Sequence, residues 1–450
     1  HLSHVQYPAM KKSRKPRKRP SGPAAKRPAD LRLQQAINAL NGKHFETGIA
    51  ILRGILKDSP GDANAHNLMG VALTELGEPA TASEHLAKAV RAQSNNPFFL
   101  FNLGRAQLQA GTFDKAANAL KKATRLKPDM VSAHALRGDA LRSLDRLSEA
   151  QTEYETAISQ QAGLTQAHHG LGLVHLHFGR HGDAAKCFRA ALDTSPDKTA
   201  DRVATIHANL GLCMEQLGQK QEAVKHLLEA VDLAKDNRQF AYALVVALRN
   251  IKRLPSSKKL GTVLLELLNQ DYVNPRSISA AIQASIREQD GVPEMFAGLN
   301  PDPEAPLDEL SPHYDTIRTL LAEDLYRAFL ENAPVTDTDL EILLTLLRRT
   351  FLEAIQAPGS IASDLIDSWT EDRLSLATML ARQGWLNEYV FYITSAEHEA
   401  LGHLQKNLGN FAASEQAFWE ILAVAAAYTP LYGWELEPPA TGIPDSFAPI

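Results

Sequence analysis

Two cysteines in 450 residues, Cys187 and Cys213, are too few for a disulfide framework or a thiolate metal centre. No stretch approaches the roughly 18 apolar residues that a membrane helix needs. The longest such run, Ile421 to Tyr428, is far shorter. A secretory leader is not expected either, because Ser21-Gly22-Pro23-Ala24-Ala25-Lys26-Arg27-Pro28 stands where its apolar core would lie. These absences make the cytoplasm the expected location, with no membrane partner. Residues 240–450 contain no G-x-G-x-G turn and no alternation of strand and helix patterns, so a nucleotide-type cofactor site is not expected there.

The net charge of −5 conceals three regions. Residues 1–29 hold nine Lys and Arg and no acid; residues 30–289 sum to +5, and residues 290–450 to −19. An acidic C-terminal third repels phosphate backbones, so a nucleic-acid partner is disfavoured.

Against these absences stands a repeat. Gly70, Gly104, Gly138 and Gly172 are spaced 34 residues apart, and Ala82, Ala116, Ala150 and Ala184 keep the same step. A large apolar residue follows each alanine by four (Leu86, Leu120, Tyr154, Phe188), and another alanine comes three later (Ala89, Ala123, Ala157, Ala191). A further copy follows after a five-residue slip, with Gly211, Ala223, Leu227 and Ala230. A weaker first copy has Ala36, Gly48, Leu52 and Ile55 in the matching places. Each unit reads as two helices of about a dozen residues, apolar at i, i+3, i+4 and i+7. A small residue in the middle of each helix lets the axes approach. Neither helix buries its apolar face alone, so the units must stack into a superhelix with an inner groove.

This pattern resembles the tetratricopeptide repeat over residues 29–237. The expected fold class is therefore all-α, a tetratricopeptide-repeat superhelix (an α-solenoid) followed by a helical C-terminal domain. The expected divisions are a disordered basic tail (1–29), about six repeats (30–237), degenerate capping helices (238–290), a Pro-rich linker (291–311), a helical domain (312–430) and a tail (431–450). The position often held by tryptophan carries histidine instead (His66, His134, His168, His207) or Leu100, which reads as a partly buried, hydrogen-bonded imidazole. In the C-terminal third, Pro334 to Leu340 places a capping Thr and first-turn acids ahead of Leu343, Leu344, Leu346 and Leu347.

The C-terminal third carries a second resemblance. Pro334-Val335-Thr336-Asp337 through Leu346-Leu347-Arg348-Arg349, Leu376-Ala377 through Asn387-Glu388-Tyr389-Val390-Phe391, and Ala425-Ala426-Ala427-Tyr428-Thr429-Pro430-Leu431 are similar to the helical connector of bacterial tetratricopeptide-containing methyltransferases. That resemblance implies a Rossmann-type S-adenosylmethionine domain following in a longer protein; this chain stops at Ile450, ahead of any such domain.

Within the chain itself no catalytic residue, cofactor or metal site is assigned. His398 and His403 resemble a zinc-protease helix only superficially: i and i+5 lie about 140° apart around the axis, not on one face. His168, His169, His175, His177 and His181 crowd one unit, but the repeat template sends them to different faces. What remains is the groove. Its lining positions supply Asn67, Phe98, Phe101, Asn102, Arg105, Asp139, Arg142, His169, His177 and Asn209. Asparagine can hydrogen-bond an extended main chain, and arginine its carboxylates. The Asn-Leu-Gly triplets at Asn102 and Asn209 resemble the asparagine positions of the O-GlcNAc transferase repeats; the Lys/Asn/Lys/Arg clamp of chaperone-binding repeats is absent. The expected role is a scaffold binding a protein or peptide ligand, with the front of a methyltransferase as the alternative.

Overall fold

The structure is a computed structural model that describes residues 28–195, 201–249, 254, 257–300, 302, 306–369, 373–387, 393–411, 415–428 and 430. The expected basic tail up to residue 27 and the expected tail 431–450 lie outside the described residues. Among the described residues every regular element is a helix. The chain divides into two compact units, His1–Lys198 and Thr199–Ile450.

The first unit is five helical hairpins: α1 (Pro28–Asn41) with α2 (Phe45–Asp58), α3 (Ala63–Glu75) with α4 (Pro79–Ala92), α5 (Pro97–Gln109) with α6 (Phe113–Leu126), α7 (Val131–Ser143) with α8 (Leu147–Gln160), and α9 (Thr165–His177) with α10 (His181–Asp193). Within this unit α2, α4, α6 and α8 also pack on the first helix of the next hairpin, and successive first helices touch. The small/large pattern of the sequence is the hairpin lock. A Cβ on Gly104, Gly138 or Gly172 would come 2.5 or 2.6 Å from Leu120, Tyr154 or Phe188, closer than real atoms approach, and Gly70 meets Leu86 in the same way. Those four large side chains are wholly buried, each gaining about 1.5–3 kcal/mol from leaving water.

The turn inside each hairpin has its own 34-residue signature. Lys43, Gly77, Gly111, Asp145 and Gly179 all adopt left-handed backbone, with φ between 58° and 81°. Glycine takes this conformation without a Cβ clash, whereas Lys43 and Asp145 do not. Start signals are local too: the Asp62 carboxylate accepts the Asn64 and Ala65 amides at the head of α3, and Asn96 accepts the Phe98 amide ahead of Pro97 in α5.

The second unit begins with a sixth hairpin, α11 (Asp201–Gln216) and α12 (Lys220–Leu233), locked by Gly211 against Leu227. It continues through α13 (Arg238–Leu248), α14 (Lys258–Leu268), α15 (Ser279–Arg287), α16 (Val292–Gly298), α17 (Tyr314–Ala322), α18 (Asp324–Asn332), α19 (Thr338–Gln356), α20 (Ile361–Trp369), α21 (Arg373–Leu386), α22 (Ser395–Phe411) and α23 (Glu415–Ala426). One continuous apolar core runs from Ala208 to Tyr428. The stretch read as a Pro-rich linker contains α16, which sinks Val292, Met295 and Phe296 into that core. Pro293 sits in its first turn, where a missing N–H costs nothing. The cap of α19 is Asp337 rather than the expected threonine. Its carboxylate accepts the Asp339 and Leu340 amides, and Arg287 grips it with two bonds of 2.7 Å.

Candidate functional site

The first helices of the first unit carry eight of the residues expected to line a groove beyond α3's Asn67: Phe98, Phe101, Asn102 and Arg105 on α5, Asp139 and Arg142 on α7, and His169 and His177 on α9. Asn209 belongs to α11, in the second unit. Successive first helices are bridged by polar pairs. Asn102 Nδ2 donates to Asn67 Oδ1 at 2.9 Å, both residues being buried, and Arg105 Nη1 donates to Glu75 Oε1 at 2.7 Å. The Asn67 N–H groups and the Asn102 carbonyl oxygen are left over by that single bond.

One hairpin further on, Asp139 gathers a second network. The Tyr154 hydroxyl donates to Oδ1 and Gln166 Nε2 to Oδ2, both at 2.6 Å. Burial, and then the Asp139 carboxylate, drive the Tyr154 phenol far above its ordinary value, so it stays a donor at every physiological pH. Arg142 lies beside the same phenol.

The aromatic members are half-buried. Lys127 Nζ stands 4.9 Å from the Phe98 ring centroid, and Phe101 packs on the cluster of Leu100, Leu120, Ala123 and Ala133. His169 leans on Phe188, with ring centroids 5.8 Å apart. His177 is set apart from these: it is exposed at the end of α9, 3.8 Å from the Asp145 carboxylate. Glu75, Tyr154 and Gln166 were missed by sequence reasoning. The signal for Glu75 lies in the repeat, since residues about one period apart on neighbouring first helices face each other.

Models of the tetratricopeptide repeat match residues 33–97, 101–163 and 163–236. These hairpins are tetratricopeptide repeats.

No curated protein gives a significant match. Among solved structures, PilF of Pseudomonas aeruginosa is 18% identical, covering 48% of this chain and 95% of its own, with a TM-score of 0.41. MamA from residue 41 onward, of Desulfovibrio magneticus RS-1, is 20% identical over 39% of this chain and 98% of its own, with a TM-score of 0.35. YrrB, a tetratricopeptide-repeat protein with an unusual peptide-binding site, is 18% identical over 43% of this chain and 96% of its own, also at 0.35. The matched repeat models end at residue 236, so the resemblance of residues 334–431 to a methyltransferase connector has no counterpart among them.

Within the tetratricopeptide repeats the unusual histidines are hydrogen-bonded. His66, His134 and His168 each place Nε2 on a carbonyl six residues back, those of Pro60, Pro128 and Ala162, at 2.9, 3.0 and 2.7 Å. The other ring nitrogen turns to the residue nineteen positions on in three repeats: His66 to His85, His134 to Glu153 and His207 to His226. Of the two cysteines, Cys213 is buried and Cys187 half-buried, its thiol pushed up to about 11 by burial and so protonated at neutral pH.

Proposed function

We propose that the first-helix face of the tetratricopeptide repeats binds an extended peptide segment of a partner protein, making this chain an interaction scaffold. The observation that carries this reading is the Asn67–Asn102 amide pair. Its remaining donors and acceptor suit a peptide main chain, which offers one N–H and one C=O per residue. Phe98 and Phe101 supply apolar contact on the same helix, and Arg105 a charged hydrogen-bonding group. Asp139 and Arg142 extend the polar strip to the next repeat; His169 and His177 are the outer candidates, and Asn209 is the corresponding candidate on the sixth hairpin, in the second unit.

The test is selection of peptides on the immobilised full chain from a displayed random library, followed by rebinding to Asn102→Ala/Arg105→Ala. Peptides that bind the parent and lose affinity for the variant, with helical circular dichroism unchanged, support the groove. Peptides that bind both equally would place the site elsewhere. The runner-up is presentation of substrates to a methyltransferase domain outside this chain, favoured by the residues of the connector resemblance. Coding sequence beyond Ile450 decides it, since a strand, Gly-rich turn and helix would have to follow.

A further inference from the structure

The histidine couples of the repeats are not alike. In α7/α8 the partner of His134 is a carboxylate, and the chain supplies a cation to it: Arg137 Nη1 donates to Glu153 Oε1 at 2.5 Å. In α3/α4 and α11/α12 the partner is a second imidazole, and the two rings meet nitrogen to nitrogen. His66 Nδ1 stands 3.0 Å from His85 Nδ1, and His207 Nδ1 stands 3.1 Å from His226 Nδ1. The same arrangement therefore occurs twice, once in each compact unit.

The protonation of the first pair follows from its surroundings. The Pro60 carbonyl can only accept, so His66 Nε2 carries a proton, and neutral His66 presents a bare Nδ1. The proton between the rings then belongs to His85. Moving it to His85 Nε2 costs no charge and leaves two lone pairs facing one another. In the second pair the Glu222 carboxylate lies 4.0 Å from His226 Nε2, the ring nitrogen that does not face His207. Two imidazole nitrogens bound to one tetrahedral zinc at about 2.0–2.1 Å stand roughly 3.3 Å apart. The ring centroids, 5.2 and 5.3 Å apart, already have the separation such a chelate requires, so a pivot of the rings suffices.

We propose that His66 with His85, and His207 with His226, each chelate a divalent first-row transition-metal ion through their paired Nδ1 atoms, with water completing the coordination shell. Imidazole suits zinc, copper and nickel. Among the described residues no group of three or more His, Cys, Asp and Glu side chains could share an ion, so these are two-ligand sites that retain exchangeable positions. Bound metal would pin α3 to α4 and α11 to α12. The charged groups facing the ligands are Glu84 and Lys88 beside His85, Glu229 and Lys259 beside His207, and Glu222 beside His226, with Lys259 itself paired to Glu229 and Asp232.

The test is calorimetric titration of the full chain at neutral pH with zinc chloride and with copper(II) chloride. It compares wild type with His85→Gln, His226→Gln and the double variant. Glutamine can still hydrogen-bond the facing Nδ1, through its amide N–H or its carbonyl oxygen, which preserves the packing while removing a strong ligand. His175→Gln/His181→Gln controls for the other histidine-rich repeat. The expected result is the loss of one bound ion in each single variant and two in the double, with none lost in the control. Electron paramagnetic resonance of the copper-loaded chain should show two nitrogen ligands at each site that the variants remove. The same number of ions bound by wild type and the double variant would overturn the proposal, as would a loss that follows the control histidines.

Discussion

The two compact units are both built from helices, of 13 or 14 residues in the first and of 7 to 19 in the second, and their cores are organised differently. In the first, the buried apolar residues form separate clusters, one from Leu33 to Ala119, another from Ala116 to Val174, and smaller ones between them. In the second, one large cluster joins Ala208 on α11 to Tyr428. The repeat explains the first pattern: a hairpin whose large residue drops into its own glycine slot owes its packing to itself and its neighbours. The second unit pairs helices distant in sequence, α14 with α18 and α19 with α22 among them, so its elements stand or fall together. Periodicity in sequence and locality of the core are one property seen twice.

The sharpest way to break this comparison is a cavity in each unit. Phe329→Ala, in the second core, should cost about 3–5 kcal/mol, and Leu120→Ala, in the first, about 2–5 kcal/mol. Hydrogen exchange distinguishes them: Phe329→Ala should raise exchange from α12 to α23 alike, and Leu120→Ala only in the hairpins flanking α6. Equal spreading in both would erase the distinction. A smaller effect of opposite sign is expected at Tyr326, whose hydroxyl is buried with no hydrogen-bond partner among the described residues. Tyr326→Phe should stabilise the second unit by about 1 kcal/mol, relieving an unmet hydrogen bond, seen as a higher denaturation midpoint.

Protonation separates repeats within the first unit. The hydrogen bond to Glu153 raises His134 above its ordinary 6.5, so the stability it contributes is complete below 6.5 and is lost as pH rises through the raised value. Burial lowers His85, so its contribution is present above 6.5 and is lost as pH falls. In metal-free thermal melts from pH 5 to 8, the deficit of His134→Gln relative to wild type should be greatest in acid. That of His85→Gln should shrink there; parallel deficits would contradict both assignments. An effect as small as that of Tyr326→Phe belongs to the turns. Asp145→Gly should gain about 1 kcal/mol by relieving a left-handed non-glycine residue, whereas Gly111→Asp should lose a similar amount.

Much of the first unit was legible because its packing is local: the glycine and its large partner lie sixteen residues apart, so spacing alone reveals their contact. The turn signature was hidden because Lys43 and Asp145 break the run of glycines that would have announced it. In the second unit, α16 was obscured by proline, a residue that interrupts a helix but also begins one. The cap of α19 went to Asp337 because Arg287, fifty residues away, holds its carboxylate in place. The candidate groove was legible as a set of positions, but not as partners. Tyr154 was read as a core residue, and only the fold shows its hydroxyl reaching Asp139.

The first hairpin inverts the lock used by the others, for its glycine is Gly48, on α2, and the side chain that fills the slot is Leu40, on α1. Exchange between gene copies therefore has a natural grain. A crossover within the loop joining α1 to α2 would combine α1 with a second helix from another repeat. With α4 as that helix, Leu40 would meet Ala82 where Gly48 had left room, and Ala36 would stand where Leu86 needs Gly70. The reciprocal product would leave Gly48 facing Thr74 in place of Leu40, with a void above it. Recombination that respects whole hairpins creates neither fault, so this array can lengthen or shorten by complete units while the halves of its first hairpin do not exchange with those of the others.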